Sequence, residues 1–215
     1  MKIVSVNVGR PRLVIWNERP VSTGIFKTPV EGRVMIRTLN LDGDRQADLT
    51  VHGGPTKAGY AYPAEHYHYW REQLPGTQLP WGMFGENFTT EGLDESTVNI
   101  GDRFRLGSAE VTVTEPRMPC YKLGLKFGRT DIIRKFLASG RTGFYFSVQQ
   151  EGEVEAGDGM ELIARDDNNV TVADITRLYA REKDDVETLR RAIALEALPV
   201  SWRDHFRHQL DKVQI

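Results

Sequence analysis

Cys120 is the only thiol in the 215-residue chain, and its surroundings are Thr114-Glu115-Pro116-Arg117-Met118-Pro119-Cys120-Tyr121-Lys122-Leu123. Two prolines stiffen the approach to the sulfur. An arginine stands three residues before it and a lysine two residues after it. Nearby cations favour a thiolate, which is both a nucleophile and a ligand for soft metals. A lone cysteine also serves commonly as a small buried hydrophobe. On this stretch alone both readings stand.

Other residues could supply a site around it. In Gly43-Asp44-Arg45-Gln46-Ala47-Asp48-Leu49-Thr50-Val51-His52-Gly53-Gly54-Pro55-Thr56-Lys57, two tight turns are expected, at Asp42-Gly43-Asp44 and at His52-Gly53-Gly54-Pro55. A glycine pair lets backbone N–H groups converge on an anion, with Lys57 adding charge nearby. Two ordinary surface turns would use the same residues. In Phe84-Gly85-Glu86-Asn87-Phe88, Gly85 permits close backbone approach and Asn87 offers both donor and acceptor. Lys27 lies between small residues in STGIFKTPV.

Several chemistries are excluded by what is missing. The sequence has no G-x-x-x-x-G-K-[ST] phosphate loop, no G-x-G-x-x-G and no G-x-S-x-G elbow. A calcium loop beginning at Asp42 fails, because Ala47 stands where the sharp turn needs glycine and Gly53 where a bidentate glutamate is needed. His66 and His68 are two residues apart on an expected helix and point to different faces, so a structural role fits them better than zinc. One cysteine allows neither an internal disulfide nor a protein-held iron–sulfur cluster, which usually takes four cysteine ligands.

These residues need elements to hold them. From Met1 to about residue 165 the chain reads as short strands broken by glycine turns: KIVSVNVG, GRVMIRTLNL, STVNIGDRFRLG, AEVTVTEP, GFYFSVQQEG and GMELIAR. Val111 and Val113 alternate with Thr112 and Thr114, as in a half-buried strand. Such spacing predicts a barrel or sandwich rather than a parallel sheet. Two helices interrupt the strands. In PAEHYHYWREQL, Pro63 is expected at the first helical position, with Tyr67, Trp70 and Leu74 on one face. In TDIIRKFLASG, Thr130 is the expected cap and Gly140 the stop.

After the turn-like Asp166-Asp167-Asn168-Asn169 the pattern becomes helical, with apolar stripes Val172/Ile175/Leu178/Tyr179, Val186/Leu189/Ile193 and Trp202/Phe206/Leu210/Val213. A three-helix unit this small needs support and is expected to dock on the strands. The expected domains are therefore 1–165, mainly β, and 168–215, helical, giving an α+β chain. Residues 168–215 carry eight Lys/Arg and eight Asp/Glu, so no basic face argues for DNA. The net charge of −2 gives no bulk attraction to nucleic acid or a membrane, and no apolar run approaches spanning length. The N-terminus turns polar too early for a signal peptide, and a cytoplasmic setting is expected.

Taken together, GDRQADLTVHGGPTKAGYAYPAEHYHYW, FGENFTTEGL and GDRFRLGSAEVTVTEPRMPCYKL resemble the signature of the MOSC domain. Within that superfamily the chain is most similar to the YiiM group, whose members also carry a C-terminal three-helix appendage. The resemblance spans essentially the whole chain, with D-x-x-H-G-G, G-E-N and P-R-x-P-C-x-K-L in the family's order. It implies a barrel-like, mainly β fold that binds the molybdenum cofactor, with the cysteine positioned to ligate the metal. Cys120 and Arg117 fall on the P-R-x-P-C element, His52, Gly53 and Gly54 on H-G-G, Asp44 on the G-D turn, and Glu86 and Asn87 on G-E-N. Lys27 and Lys57 match basic positions of the pattern.

The group is associated with reducing N-hydroxylated compounds, including 6-N-hydroxylaminopurine, a toxic base analogue. The resemblance thus implies a molybdenum-dependent N-hydroxyl reductase, with Cys120 as metal ligand and Asp44, His52 and Glu86 as candidate proton donors. A carrier that delivers cofactor, or sulfur held on Cys120, is the alternative. With no flavin or nicotinamide fingerprint, electrons are expected from a separate reductase, a flavoprotein. The chemistry of the residues is compatible: a dithiolene-bound metal is soft, and a pterin phosphate calls for backbone N–H groups, Lys and Arg.

Overall fold

The computed structural model describes residues 1–47, 53–182 and 184–213. The strands described are β1 (Lys2–Val8), β2 (Arg12–Trp16), β3 (Arg19–Thr23), β4 (Thr28–Pro29), β5 (Val34–Ile36), β6 (Gly59–Pro63), β7 (Phe88–Glu91), β8 (Arg103–Leu106), β9 (Ala109–Pro116), β10 (Phe144–Gln150), β11 (Gly152–Val154) and β12 (Met160–Ala164). Eight of them form one sheet in the order β12-β8-β9-β10-β6-β7-β1-β4. Neighbours are antiparallel except β6 and β7, which run parallel. The expectation of a barrel-like β body is met by this mixed sheet. Backbone bonds from Ile3 to Asp158, Gly157 to Ile3 and Met160 to Met1 tie β1 to the approach of β12, curling the sheet on itself.

Alternation holds where a strand has one wet face and fails where both faces are covered. In β9, Ala109, Val111 and Val113 are buried between half-exposed Glu110 and Thr112, but Thr114 to Pro116 are all buried. A register shift lies between the pairs Phe146↔Val113 and Tyr145↔Glu115. There Thr114 Oγ1 donates to the carbonyls of Thr56 (2.7 Å) and Tyr145 (3.1 Å). This bulge re-aims the end of β9 toward the segment that carries Cys120.

The helices are α1 (Glu65–Gln73), α2 (Tyr121–Phe127), α3 (Asp131–Ser139), α4 (Val172–Ala180), α5 (Val186–Ala194) and α6 (Val200–Val213). Tyr67, Trp70 and Leu74 bury one face of α1 as its pattern requires. Pro63, however, ends β6 and does not open α1, which Ala64 precedes. Thr130 occupies the cap position of α3 without a side-chain bond, while Gly140 ends the helix in the left-handed conformation as expected. Thr171 and Asp174 form a reciprocal capping box on α4.

Two cores result. The larger joins the sheet interior (Ile3, Phe104, Val113, Phe146) to Val172, Ile175, Leu189 and Phe206 of the C-terminal helices, so the helices close one end of the same core. A second, aromatic core of Tyr60, Tyr62, Tyr67, Trp70, Phe84 and Phe136 packs α1 and α3 against β6. No helix among the described residues is long and apolar enough to cross a membrane.

Candidate functional site

Cys120 sits at the N-cap position of α2, half-buried, with extended backbone, and its carbonyl accepts from the Leu123 N–H at 2.9 Å. It opens into a pocket between the end of β9, β6 and the Asp44 turn. Five cationic side chains line that pocket: Lys27, Arg45, Lys57, Arg117 and Lys122. Asn87 lines it too, with the rings of Tyr60 and Tyr145, and no carboxylate does so among the described residues. Residues from six separated stretches of sequence therefore meet at one pocket.

Each cation is placed by a different device. Arg117 follows the end of β9 and is buried at 5% exposure between the rings of Tyr60 and Phe136, each 5.3 Å from its guanidinium carbon. Burial opposes its charge, but Tyr60, Tyr145 and Cys120 around it outweigh this and hold it protonated. Its Nη1 is buried and finds no hydrogen-bond partner among the described residues. A buried guanidinium N–H left unpaired is costly, and an acceptor-rich anion in the pocket would satisfy it.

Lys27 is paired to both oxygens of Asp44, which is itself buried and also accepts from the Gly9 N–H (2.9 Å) and Asn87 Nδ2 (3.0 Å). Burial lowers the Lys27 pKa from its ordinary value, against the pull of Asp44. Asn87 also donates to the Asn7 carbonyl (3.2 Å) and accepts from the Tyr60 N–H (3.2 Å), so it joins β1, β6 and the Asp44 turn. Lys57 ends the short 3-10 turn Pro55–Lys57 and stands 3.6 Å from Glu115. Gly54, with φ of 95°, begins that turn and needs glycine for its conformation rather than for space.

The sequence-predicted residues thus divide. Lys27, Lys57, Asn87, Arg117 and Cys120 come together at the pocket. Asp44 stands one layer behind, on Lys27 and Asn87. Gly53 and Gly54 lead into the turn that carries Lys57, and neither is among the lining residues. His52 lies outside the described residues. Glu86 is fully buried and does not line the pocket. It accepts from Tyr67 Oη, the Gly82 N–H (2.7 Å), the Phe84 N–H (3.0 Å) and Thr89 Oγ1 (3.1 Å). Burial pushes its carboxyl up, against those donors and Lys126. So placed, Glu86 organises the turn before β7.

His66 is buried and bonded to Glu95 at 2.7 Å, the structural role its position suggested. Asp94 joins these two within metal-ligand distance of one another, but Glu95 is already committed to His66 and to the Gly143 N–H (2.6 Å).

Sequence reasoning missed Arg45, Gln46, Tyr60 and Tyr145. Arg45 and Gln46 directly follow Asp44, and that adjacency was the available signal. Tyr60 and Tyr145 read simply as strand aromatics. Burial pushes the Tyr145 hydroxyl up to about 12, against Arg117.

The pocket fits an anionic, sulfur-rich group: five cations, an orphaned guanidinium N–H, and one thiol for a soft metal. The molybdenum cofactor has those properties. Arg117, Lys57, Arg45 and Lys122 would hold its anionic parts, and Cys120 its metal.

Comparison with known proteins agrees with the sequence resemblance. A family model for the MOSC domain matches residues 48–161, and one for the "YiiM-like, 3-alpha helix domain" matches residues 170–213. The protein YflK of Bacillus subtilis is 41% identical over 98% of this chain and 95% of its own length. Protein YiiM of Escherichia coli is 38% identical over 84% of this chain and 81% of its own. A protein of Gibberella moniliformis named "Reductase" is 30% identical over 74% of this chain, a match that spans only 28% of that protein. The crystal structure of YiiM from Geobacillus stearothermophilus superposes with a TM-score of 0.82, at 36% identity, covering 97% of this chain and 98% of that one.

Proposed function

The chain belongs to the MOSC-domain family, in its YiiM-like branch with the C-terminal three-helix domain, and from that premise we propose that it is a molybdenum cofactor-dependent reductase of N-hydroxylated compounds, such as 6-N-hydroxylaminopurine and related base analogues. The observation that carries the reading is the pocket itself, where one thiol shares the lining with five cations and a buried arginine whose Nη1 has no partner among the described residues. Oxidoreductase activity in the family is supported by the relative named a reductase.

When bound, the cofactor would supply the two-electron chemistry that lets the N–OH oxygen leave as water once two electrons and two protons have arrived. The chain's own residues do the rest. Cys120 offers the thiolate ligand. Arg117 and Lys57 bind and orient the anionic part, and Lys27, held by Asp44, fixes one wall. Tyr60 and Tyr145 give the pocket flat aromatic faces against which a planar heterocycle can lie. Asp44 and Glu86 serve this arrangement by fixing Lys27, Asn87 and the Gly82–Glu86 turn, and deliver no proton themselves.

Electrons come from a second protein in this reading, a flavoprotein, because the sequence holds neither cluster cysteines nor a nucleotide fingerprint. The reductase from Gibberella supports it, since most of that protein's length lies outside the region shared with this chain.

The test is turnover of 6-N-hydroxylaminopurine with an artificial reductant by the parent and by Cys120→Ala and Cys120→Ser. Both variants are expected to melt near the parent, at a cost of about 1 kcal/mol, and to lose reductase activity. A cofactor-loaded Cys120→Ala protein reducing the base at the parent rate would refute the ligand role of the thiol.

A further inference from the structure

The ribbon made by β2 and β3 pairs with no other strand among the described residues. A two-stranded ribbon by itself is at best marginally stable, so it needs cover on at least one face. One face has it: Val14, Trp16 and Val21 are half-buried, and the register puts them on the same side. The other side carries Leu13, Ile15 and, opposite Ile15, Pro20, all exposed. Leu13 and Ile15 are each 69% exposed, more than any other large hydrophobic side chain among the described residues. The two-residue turn Asn17-Glu18, with φ of 48° and 63°, fixes the ribbon's register and holds this apolar face out to solvent.

Basic charge frames that face. From residue 10 to residue 26 the chain has three arginines against one carboxylate, Glu18, within a protein of net charge −2. Arg10 and Arg12 stand at the base of the ribbon and Arg19 at its turn, all exposed. None of the three has an ion pair among the described residues, whereas Arg103 and Arg105 on β8 are paired with Glu110 and Glu161. Arg12 lies over the Phe26 ring, 3.6 Å from its centre. The base of the ribbon is also the rim of the pocket: Thr23, the last residue of β3, lines it with Gly24, Ile25 and the exposed Arg45.

We propose that the outer face of the β2–β3 ribbon is the docking surface of the electron donor, a flavin-bearing protein with an acidic surface around its flavin. This rests on the reading of the pocket as a reductase site supplied by a second protein. Charge selects the occupant. A second copy of this chain in two-fold contact here sets the same arginines against themselves, like charge on like charge. An anionic lipid surface matches the charge but brings no electrons. An acidic donor seated on Leu13, Ile15 and Pro20 meets the arginines and lies beside the pocket's rim. In each turnover its reduced flavin gives up two electrons and two protons; the N–OH bond breaks, an N–H bond forms in its place, and the oxygen leaves as water.

Flavodoxin, a small acidic flavoprotein, is the probe. Its binding to the full chain is measured by calorimetry at low and at high ionic strength. The proteins compared are the parent, Arg10→Glu/Arg19→Glu, Leu13→Ser/Ile15→Ser and, as a control, Arg190→Glu at an exposed position of α5. The parent is expected to bind at low ionic strength and to lose affinity as salt screens the exposed charges. The double charge reversal should weaken binding by about tenfold or more. Leu13→Ser/Ile15→Ser should weaken it by about tenfold, the low end for a large aliphatic side chain no longer withdrawn from water. Arg190→Glu should leave it unchanged. None of the substituted residues lines the pocket, so turnover with an artificial reductant is expected at the parent rate in every variant. Turnover driven by reduced flavodoxin should fall in both double variants through a higher KM for flavodoxin.

A parent that binds no flavodoxin at low ionic strength, double variants that bind it as the parent does, or an equal loss in Arg190→Glu overturns the proposal. A parent that self-associates in the ultracentrifuge while Leu13→Ser/Ile15→Ser does not, or that binds phosphatidylglycerol vesicles in place of flavodoxin, gives the ribbon to another occupant and overturns it too. If the loaded parent shows no turnover with the artificial reductant, the reductase reading falls and this inference with it. If that turnover is present and flavodoxin drives parent and variants equally, this inference alone falls.

Discussion

Lys126 shows how the site's wall is set by a residue outside it. It lies in the last turn of α2, is part-buried, and donates to the Ile25 carbonyl at 2.8 Å and to the Gly82 carbonyl. It thereby ties the segment that carries Lys27 to the turn that Glu86 organises. Burial drives its pKa down from 10.5 to about 7, with Lys27, Arg117 and Arg12 adding to the fall and Glu86 opposing it. An unfolded Lys126 binds its proton up to the ordinary lysine range, while the folded one releases it near pH 7. Between those values the unfolded state holds more protons, so folding stability rises with pH. The melting temperature of the cofactor-free protein should climb from pH 7 toward the tyrosine range near 10, and Lys126→Met should flatten the climb. A parent whose melting temperature falls over that interval contradicts this account of Lys126. In the sequence Lys126 was one lysine among many, because nothing local distinguishes a buried amine from a solvated one.

At the scale of elements, the turn before β7 carries a steric demand that bears directly on the pocket. Gly82 has a φ of 83°, and a Cβ there would lie 2.8 Å from the Lys27 carbonyl oxygen. Gly82→Ala therefore combines left-handed strain of about 1–2 kcal/mol with a clash that only a shift of the Lys27 segment can relieve. The expected result is destabilisation of at least about 2 kcal/mol by denaturant unfolding, with a loss of bound molybdenum larger than that of an equally destabilised variant in α5. Equal losses in the two would mean that the turn does not position the pocket.

β1, β5, β8, β9, β10, β12 and the three C-terminal helices were legible in the sequence, because period-two and period-3.6 patterns survive wherever one face is wet, whereas the β2–β3 hairpin and the strands β6 and β7 were not read from it. α2 was not. Its Leu123 and Leu125 are two apart rather than three or four, and Gly124 interrupts it, kept where a Cβ would meet the Arg129 carbonyl oxygen at 3.1 Å. Pro63 misled for a related reason. A rigid φ suits the end of β6 as well as the start of a helix, and the parallel pairing of β6 with β7 has no local signature.

For the whole molecule, the site is a meeting of segments far apart in sequence. Cys120, Arg117, Lys27 and Lys57 were recognisable as motif residues, yet their convergence depends on the curled sheet, the bulge at Thr114 and the aromatic core behind Arg117. Arg45 and Tyr145 reach the pocket only through that folding, and no spacing announced them. Glu86 shows the converse: a motif carboxylate that folding turns inward to four donors. The most direct measurement of the central claim is molybdenum and pterin analysis of the purified protein from cells able and unable to make the cofactor. Stoichiometric molybdenum with pterin from the first cells and neither from the second is expected, with the content depressed by Arg117→Met. Protein free of molybdenum and pterin from cofactor-producing cells, folded and with its pocket intact, would contradict it.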